Sequence, residues 1–316
     1  RFDKEGKRMS IILITGGAGF IGTNLTNKLI NDGHKVIVID DLSSGHKQFI
    51  HSEAILVEGS VIDEIALSRC FEYKPEYIIH LAALFANQNS VDHPDKDLSV
   101  NGLGTLKVLE WSKRTGVKKV LYTSSSCVYG NKDVMNEKDK DFDPDTPYAI
   151  TKLLGEQYAK FWSTHHKLNV VSVRLFNVYG PGDLPGVYRS VVPNFIKLAM
   201  NGKSLVITGT GNETRDFCYI DDAVNGICKV LFNKTNPGDV FNIATGEKTT
   251  IIEMANSINK YCKNSAEIIF QEHRNWDCVM HRQADINKIA RILGFRAETN
   301  LDKGVKKTCD WVMENI

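Results

Sequence analysis

Tyr148 and Lys152 stand four residues apart in YAITK (148–152), and a helix beginning near Pro147 would present both on one face. A free tyrosine, with a pKa of about 10, is a poor base near neutrality. An ammonium one turn away stabilises the phenolate, so the pair can take a proton from an alcohol while hydride leaves the carbon that bears it. Alone, Tyr-x-x-x-Lys is also what an ordinary amphipathic helix face looks like. Two neighbours argue for chemistry: Ser124 and Ser125, in TSSSCVYG (123–130) after the strand Lys119–Tyr122, and a glycine-rich turn near the start of the chain.

That turn is TGGAGFIG (15–22), between an apolar run, SIILIT (10–15), and a helix pattern over Phe20–Asn31. Gly16, Gly19 and Gly22 fall three apart. They suit a tight turn, a close backbone approach to pyrophosphate and close helix–strand packing. The next strand, KVIVI (35–39), ends on Asp40 and Asp41. A carboxylate there accepts from the adenosine ribose hydroxyls and repels a 2′-phosphate, which favours NAD over NADP.

Strands and helices must alternate to place these groups. Strands are predicted at Ser10–Thr15, Lys35–Ile39, Ala54–Val57, Tyr77–Leu81, Lys119–Tyr122 and Asn169–Leu175, with helix-length spacers between them. Unbroken apolar runs such as SIILIT belong to strands buried on both faces, so the expected fold is a Rossmann-type doubly wound parallel α/β sheet. After Asn177 a Gly/Pro loop (180–186) leads to a helix near Val191–Asn201. The rest reads as a smaller interleaved α/β domain. The expected division is 9–177, with a returning segment at about 217–244, for the dinucleotide; 178–216 and 245–316 take the substrate.

The composition is that of an ordinary soluble globular protein: 42% apolar and 24% charged residues, net charge +1. No global field favours nucleic acid or membrane. Seven cysteines, without a CxxC pair, suit a reducing compartment and neither a disulfide framework nor a zinc site. No histidine shows ligand spacing, and no metal is expected; His165 and His166 are read as capping a helix C-terminus. No apolar run is long enough to span a bilayer, and Arg1–Arg8 is too polar for a secretory signal, so the expected location is the cytoplasm.

Across 10–295 the chain resembles the extended short-chain dehydrogenase/reductases, specifically the nucleotide-sugar branch typified by UDP-galactose 4-epimerase. The likeness rests on TGGAGFIG, HLAA (80–83), VNGLGT (100–105), SSSCVYG, YAITK, RLFNVYGPG (174–182), RDFCYIDD (215–222) and the pair Arg274/Asp277. It implies that Ser125 hydrogen-bonds the reacting sugar hydroxyl, Tyr148 is the base, and Lys152 holds the nicotinamide ribose and biases the tyrosine. It further implies an NAD site formed by Gly16, Gly19, Phe20, Ile21, Gly22, Asp40, Asp41, Ser60, Val61, Leu81, Ala82, Ala83, Asn101, Leu175 and Val178 with the catalytic pair.

The substrate side follows by the same resemblance. Asn177, Arg215 and Arg274 would hold a diphosphate, with Asp277 on the nucleoside ribose and Val192, Ile207 and Thr208 around the base. Phe85 would face the sugar in place of the family's lysine. Ser60 stands where the family carries an acid near the adenine, and the segment after Asp277 is one residue longer. His281 and Arg282 fall near the position that gates N-acetylated sugars.

Related dehydratases carry an Asp-Glu pair after the catalytic hydroxyl, and related decarboxylases a Glu two residues after it. Here Ser126 and Cys127 stand instead, and neither can act as a carboxylic acid. Oxidation and re-reduction at one carbon remain. The implied reaction is epimerisation of a nucleotide-activated hexose, nearest the UDP-glucose/UDP-galactose 4-epimerases. The alternatives are a net oxidoreductase or dehydratase of that family, and a non-catalytic NAD-sensing protein. Apolar residues on the helices near Asp95–Thr115 and Ala149–His165 exceed what one sheet face needs, so a homodimer through a four-helix interface is expected.

Overall fold

Ile12, Leu13 and Ile14 are wholly removed from solvent, as are Val36, Ile37, Val38 and Ile39, because helices cover both faces of the sheet they form. The computed structural model describes residues 9–85, 87–274 and 279–315. The strands β1 (Ile11–Thr15), β2 (Lys35–Asp40), β3 (Ile55–Glu58), β4 (Tyr77–His80), β5 (Lys119–Ser125) and β6 (Val170–Leu175) build a seven-stranded sheet with a late strand, Val240–Ile243. The order is (Val240–Ile243)-β6-β5-β4-β1-β2-β3, and the β1–β2, β1–β4, β2–β3 and β4–β5 pairs are parallel. The expected doubly wound sheet is present.

Strand order reverses beside β1. Chain progress from β1 through β2 to β3 runs one way, and β4 then adds on β1's other edge. Ligands of open α/β sheets bind beyond the carboxyl ends of strands at such a switch point. The glycine turn follows β1, residues 81–83 follow β4, and Ser124 and Ser125 end β5.

On one face, Ile11 and Leu13 of β1 and Ile37 and Ile39 of β2 share a buried cluster with Leu67, Phe71, Val108, Leu109, Ala159 and Trp162. Each fully buried aliphatic or aromatic side chain contributes about 1.5–3 kcal/mol of burial energy. Leu67 and Phe71 lie on the helix Glu64–Glu72, Val108 and Leu109 on Gly104–Thr115, and Ala159 and Trp162 on Pro147–His165. This last helix is fixed by one buried ion pair: Arg174 of β6 grips Glu156 through two bonds, Nε–Oε1 at 2.8 Å and Nη2–Oε2 at 2.6 Å.

Two segments differ from the sequence expectation. β5 continues through Thr123, Ser124 and Ser125, where the hydroxyl run had suggested a turn. Burial is tolerated there because the first hydroxyl has a partner: Thr123 Oγ1 donates to the His80 carbonyl at 2.6 Å. The single helix expected near 95–115 is instead a short helix, Pro94–Asp97, a π-helical stretch, Leu98–Leu103, and the helix Gly104–Thr115. Gly102 and Gly104, both poor helix formers, sit at that break. Of the apolar residues assigned to an interface, Val108, Leu109 and Trp162 are core, whereas Leu98, Leu103, Ile150 and Phe161 are exposed.

Contacts divide the chain into two compact units, each of three segments: 1–125, 147–174 and 227–241 in the first; 126–146, 175–226 and 242–316 in the second. The expected returning segment at about 217–244 therefore compares with 227–241, and residues 126–146 cluster with the second unit. That unit carries three two-stranded pieces: Asn177–Tyr179 with Phe217–Tyr219, Thr214–Arg215 with Thr249–Thr250, and Leu205–Thr208 with Ile268–Gln271. Within RDFCYIDD, Asp216 is fully buried and accepts from Thr245 N, Thr245 Oγ1 and Gly246 N at 2.6–2.9 Å, tying two loops together. Among the described residues no helix is long and apolar enough to cross a membrane, and no cluster of His, Cys, Asp or Glu could hold a metal ion.

Candidate active site

The glycine turn is built by close approach. Gly16 has φ +69°, and a Cβ there would lie 2.7 Å from Ala82 N; one at Gly22 would lie 2.3 Å from the Gly16 carbonyl. Only glycine fits either place. A Cβ at Gly19 would meet nothing nearer than the Gly16 carbonyl at 3.4 Å, so space is open on that side. Gly19 is also the N-cap of the helix Phe20–Asn31, whose first turn carries neither a side-chain cap nor an acid. Its N–H groups and positive dipole end thus suit a pyrophosphate. The residues fit a bound dinucleotide.

Asp40 ends β2 with its carboxylate partly committed: Oδ2 accepts from Ala18 N and Oδ1 from Leu42 N, both at 2.9 Å. Burial pushes its carboxyl above the ordinary value, against those two N–H groups, with the Asp41 charge adding to the rise. A carboxylate has lone pairs for two further donors, which is what ribose hydroxyls require. Asp41 is exposed and accepts from Ser43 N and Oγ at 3.0 and 2.6 Å, closing its own turn. Phe20 and Ile21 are half-buried in the first turn of the helix, Ser60 Oγ faces Ile62 N at 3.5 Å, and Val61 is buried in the core cluster.

The end of β4 is stitched to β1. Leu81 N donates to the Thr15 carbonyl at 3.1 Å, and Ala82 N to Thr15 Oγ1 at 3.1 Å. Thr15 Oγ1 also lies 2.6 Å from His80 Nδ1, whose Nε2 lies 2.9 Å from Thr105 Oγ1. Burial, and then the Lys152 charge, lower the His80 pKa to about 3, so this ring stays neutral and structural. Ala83 follows half-buried, and Leu84 N donates to Asn101 Oδ1 at 2.7 Å. Asn101, predicted for the cofactor, therefore holds the loop after β4.

Tyr148 and Lys152 are both buried on the helix Pro147–His165. Pro147 suits the first helical position, and the Tyr148 N–H donates to Ser90 Oγ at 3.0 Å. Lys152 Nζ donates to the Thr123 carbonyl at 2.9 Å and lies 5.6 Å from the centre of the Tyr148 ring. Tyr122 OH donates to the Lys152 carbonyl at 3.1 Å and stays protonated, because burial raises its pKa well above the usual value. Phe85 meets the Tyr148 ring edge-on, centroids 6.0 Å apart. Ser125 is buried at the end of β5; beside it, Ser124 Oγ is buried with no hydrogen-bond partner among the described residues. From sequence Ser124 was singled out with Ser125 but only Ser125 was given a contact, and an orphan hydroxyl here is a candidate ligand contact.

In the second unit Leu175 and Val178 are half-buried around Phe176. Asn177 N donates to the Asp216 carbonyl at 3.1 Å, and its side-chain Oδ1 is buried without a described partner. Val192 and Ile207 are buried, Thr208 is half-buried and Arg274 is exposed. Arg215 Nη1 donates to the Thr214 carbonyl at 2.9 Å. Asp277 lies outside the described residues. His281 Nδ1 lies 3.0 Å from Thr214 Oγ1, and Arg282 donates from Nη1 to Cys127 Sγ at 3.2 Å, so the two residues expected near the sugar gate are anchored in this unit.

Comparison with known proteins supplies the family. The model of the NAD dependent epimerase/dehydratase family matches residues 12–244. The chain is 33% identical to a UDP-glucose 4-epimerase of Mycolicibacterium smegmatis, over 95% of this chain and 97% of that protein. An epimerase structure from Methanothermobacter thermautotrophicus superposes with a TM-score of 0.92 at 40% identity, covering 97% of this chain and 93% of the other. A UDP-N-acetylglucosamine 4-epimerase from Methanobrevibacter ruminantium, solved with UDP-N-acetylmuramic acid, gives a TM-score of 0.90 at 30% identity, covering 98% and 100%. The glycine turn, the buried Tyr148–Lys152 pair and these matches agree: the chain belongs to the NAD-dependent epimerase/dehydratase family and is an enzyme of that family, with NAD as its cofactor.

Proposed function

We propose that the enzyme epimerises a nucleotide-activated hexose at one carbon through a transient 4-keto sugar, as a 4-epimerase of the UDP-glucose/UDP-galactose type. The observation that carries this reading is a buried tyrosine–ammonium pair beside serines at a strand end, followed by Ser126 and Cys127 rather than a carboxylic acid.

NAD, when bound, accepts and returns hydride. Ser125 hydrogen-bonds the sugar hydroxyl and orients it, and Tyr148 takes the hydroxyl proton. Lys152, held by the Thr123 carbonyl, keeps a positive charge one turn below the phenol and stabilises the phenolate. The same phenol returns the proton once hydride has been delivered to the opposite face. Asn177, Arg215 and Arg274 would hold the diphosphate, arginine being suited to bidentate phosphate contacts. Asp277 would take the nucleoside ribose, with Val192, Ile207 and Thr208 around the base. With no acid at 126 or 127, the keto intermediate keeps its C6 hydroxyl and its C5 hydrogen.

The test is a panel of nucleotide sugars with products read by NMR. A substrate deuterated at C4 is expected to carry its label into the epimerised product, and turnover in D2O to leave C5 unlabelled. Solvent deuterium at C5, or a 6-deoxy-4-keto product, would replace epimerisation by dehydration.

The enzyme is also proposed to be a homodimer. Leu98 and Leu103 beside one helix, with Ile150 and Phe161 on another, leave apolar surface exposed where two copies of each helix would form a four-helix contact. Light scattering at micromolar concentration is expected to give twice the chain mass, and a monomer mass would refute the assignment. The six described cysteines are all unbridged, in keeping with the proposed cytoplasmic location.

A further inference from the structure

Asp97 is completely buried, at the junction between the short helix Pro94–Asp97 and the π-helical stretch Leu98–Leu103. Such stretches recur at functional sites, and a carboxylate out of water needs compensating partners. Oδ1 accepts from Asn101 Nδ2 at 2.6 Å and Oδ2 from Thr151 Oγ1 at 2.6 Å. Leu84 N–H points at Asn101 Oδ1 at 2.7 Å, which fixes the amide so that Nδ2 is the donor toward Asp97. That same Nδ2 lies 3.3 Å from Thr151 Oγ1, which has both Asp97 Oδ2 at 2.6 Å and the Tyr148 carbonyl at 3.2 Å within reach of its own proton.

Its surroundings name the balancing charge. Burial raises the Asp97 carboxyl above its ordinary value; the Thr151 hydroxyl and then the charge of Lys152, on the helix Pro147–His165, pull against that rise. On the same helix Glu156 is committed to Arg174, and Tyr148 is the phenol whose proton the reaction moves. On β5 Tyr122 stays protonated, and on β4 His80 stays neutral. On its own segment Asp92, Asp95 and Lys96 are exposed and His93 is half-buried. The bonds also reach both sides of the tyrosine: Asn101 holds the loop that carries Phe85, and Thr151 lies in the helical turn between Tyr148 and Lys152.

We propose that Asp97 is a positioning residue for the reaction: its buried negative charge, acting through Asn101, Thr151 and Lys152, aligns and electrically balances the Tyr148–Lys152 pair. This rests on the assignment of Tyr148 as the base. The charge holds Lys152 as an ammonium and at the same time opposes a second negative charge on the phenol. It therefore places the ionisation of Tyr148 higher than the lysine alone would set it.

Asp97→Asn separates charge from shape. The asparagine oxygen can accept from Asn101 Nδ2, and its amide can donate to Thr151 Oγ1, whose own proton then turns to the Tyr148 carbonyl, 3.2 Å away. With the negative charge gone, phenolate forms more easily. The acid limb of kcat/KM for UDP-glucose or UDP-galactose is expected to move to lower pH by on the order of one unit. Ultraviolet difference titration of the Tyr148 phenolate, with Tyr148→Phe as the blank, should move the same way, whatever the natural sugar is. Thr151→Val removes a tie and keeps the charge, so it should lower kcat while leaving the titration in place. An Asp97→Asn enzyme whose tyrosine titrates where the wild type does would overturn the proposal. Undiminished turnover by Tyr148→Phe would instead remove the base assignment itself, independently of Asp97.

Discussion

Tyr148→Phe is expected to lower kcat by ~10²–10⁴-fold while leaving the fold and the bound NAD in place. The substitution removes one oxygen. The ring, its edge contact with Phe85 and the backbone bond from Tyr148 N to Ser90 all remain. What disappears is the group proposed to take the sugar proton, and Lys152 cannot replace it because its ammonium is already bound to the Thr123 carbonyl and carries no lone pair. Turnover on a panel of nucleotide sugars, together with NAD released on denaturation, checks both halves. A variant with wild-type kcat would show that another group moves the proton.

Glu156→Ala is expected to destabilise the fold by about 3–5 kcal/mol, the usual consequence of stranding one member of a buried ion pair. The Arg174 side chain is 2% exposed and its partner 4%, so neither water nor salt can replace the lost carboxylate. The pair links β6 to the helix that carries Tyr148 and Lys152, and activity should fall with stability. The double substitution Glu156→Leu with Arg174→Met removes the stranded charge as well and should recover most of the loss. Urea midpoints of wild type, single and double variants measure the series. A single variant within 1 kcal/mol of wild type would mean that the guanidinium finds new partners.

The sheet was legible because strands buried on both faces need unbroken apolar runs, and SIILIT and KVIVI are such runs. β5 was read three residues short, since a buried hydroxyl run looks like a turn until Thr123 is seen to reach the His80 carbonyl. The juxtaposition of Tyr148 and Lys152 was legible because its spacing is local: four residues on one helix. The groups that hold it were not. His80 bridges Thr15 and Thr105, and Asp97 reaches Thr151, partners separated by 25 to 65 positions whose pairing exists only once the chain is folded. The break at 98–103 was missed because period alone does not distinguish an α-helical from a π-helical turn.

The chain passes between its two compact units five times, and neither unit is continuous in sequence. During synthesis the first 125 residues can pair β1 to β5. The sheet nevertheless has to wait for Val240–Ile243, more than 100 residues later, before β6 is covered on its outer edge. Until then an apolar sheet edge is open to other chains. No single cut releases either half intact, so fragments ending near 125 or 174 are poor units for expression. Neither shuffling nor trimming at one point can therefore separate the two compact units, because each is assembled from three separate stretches of the chain.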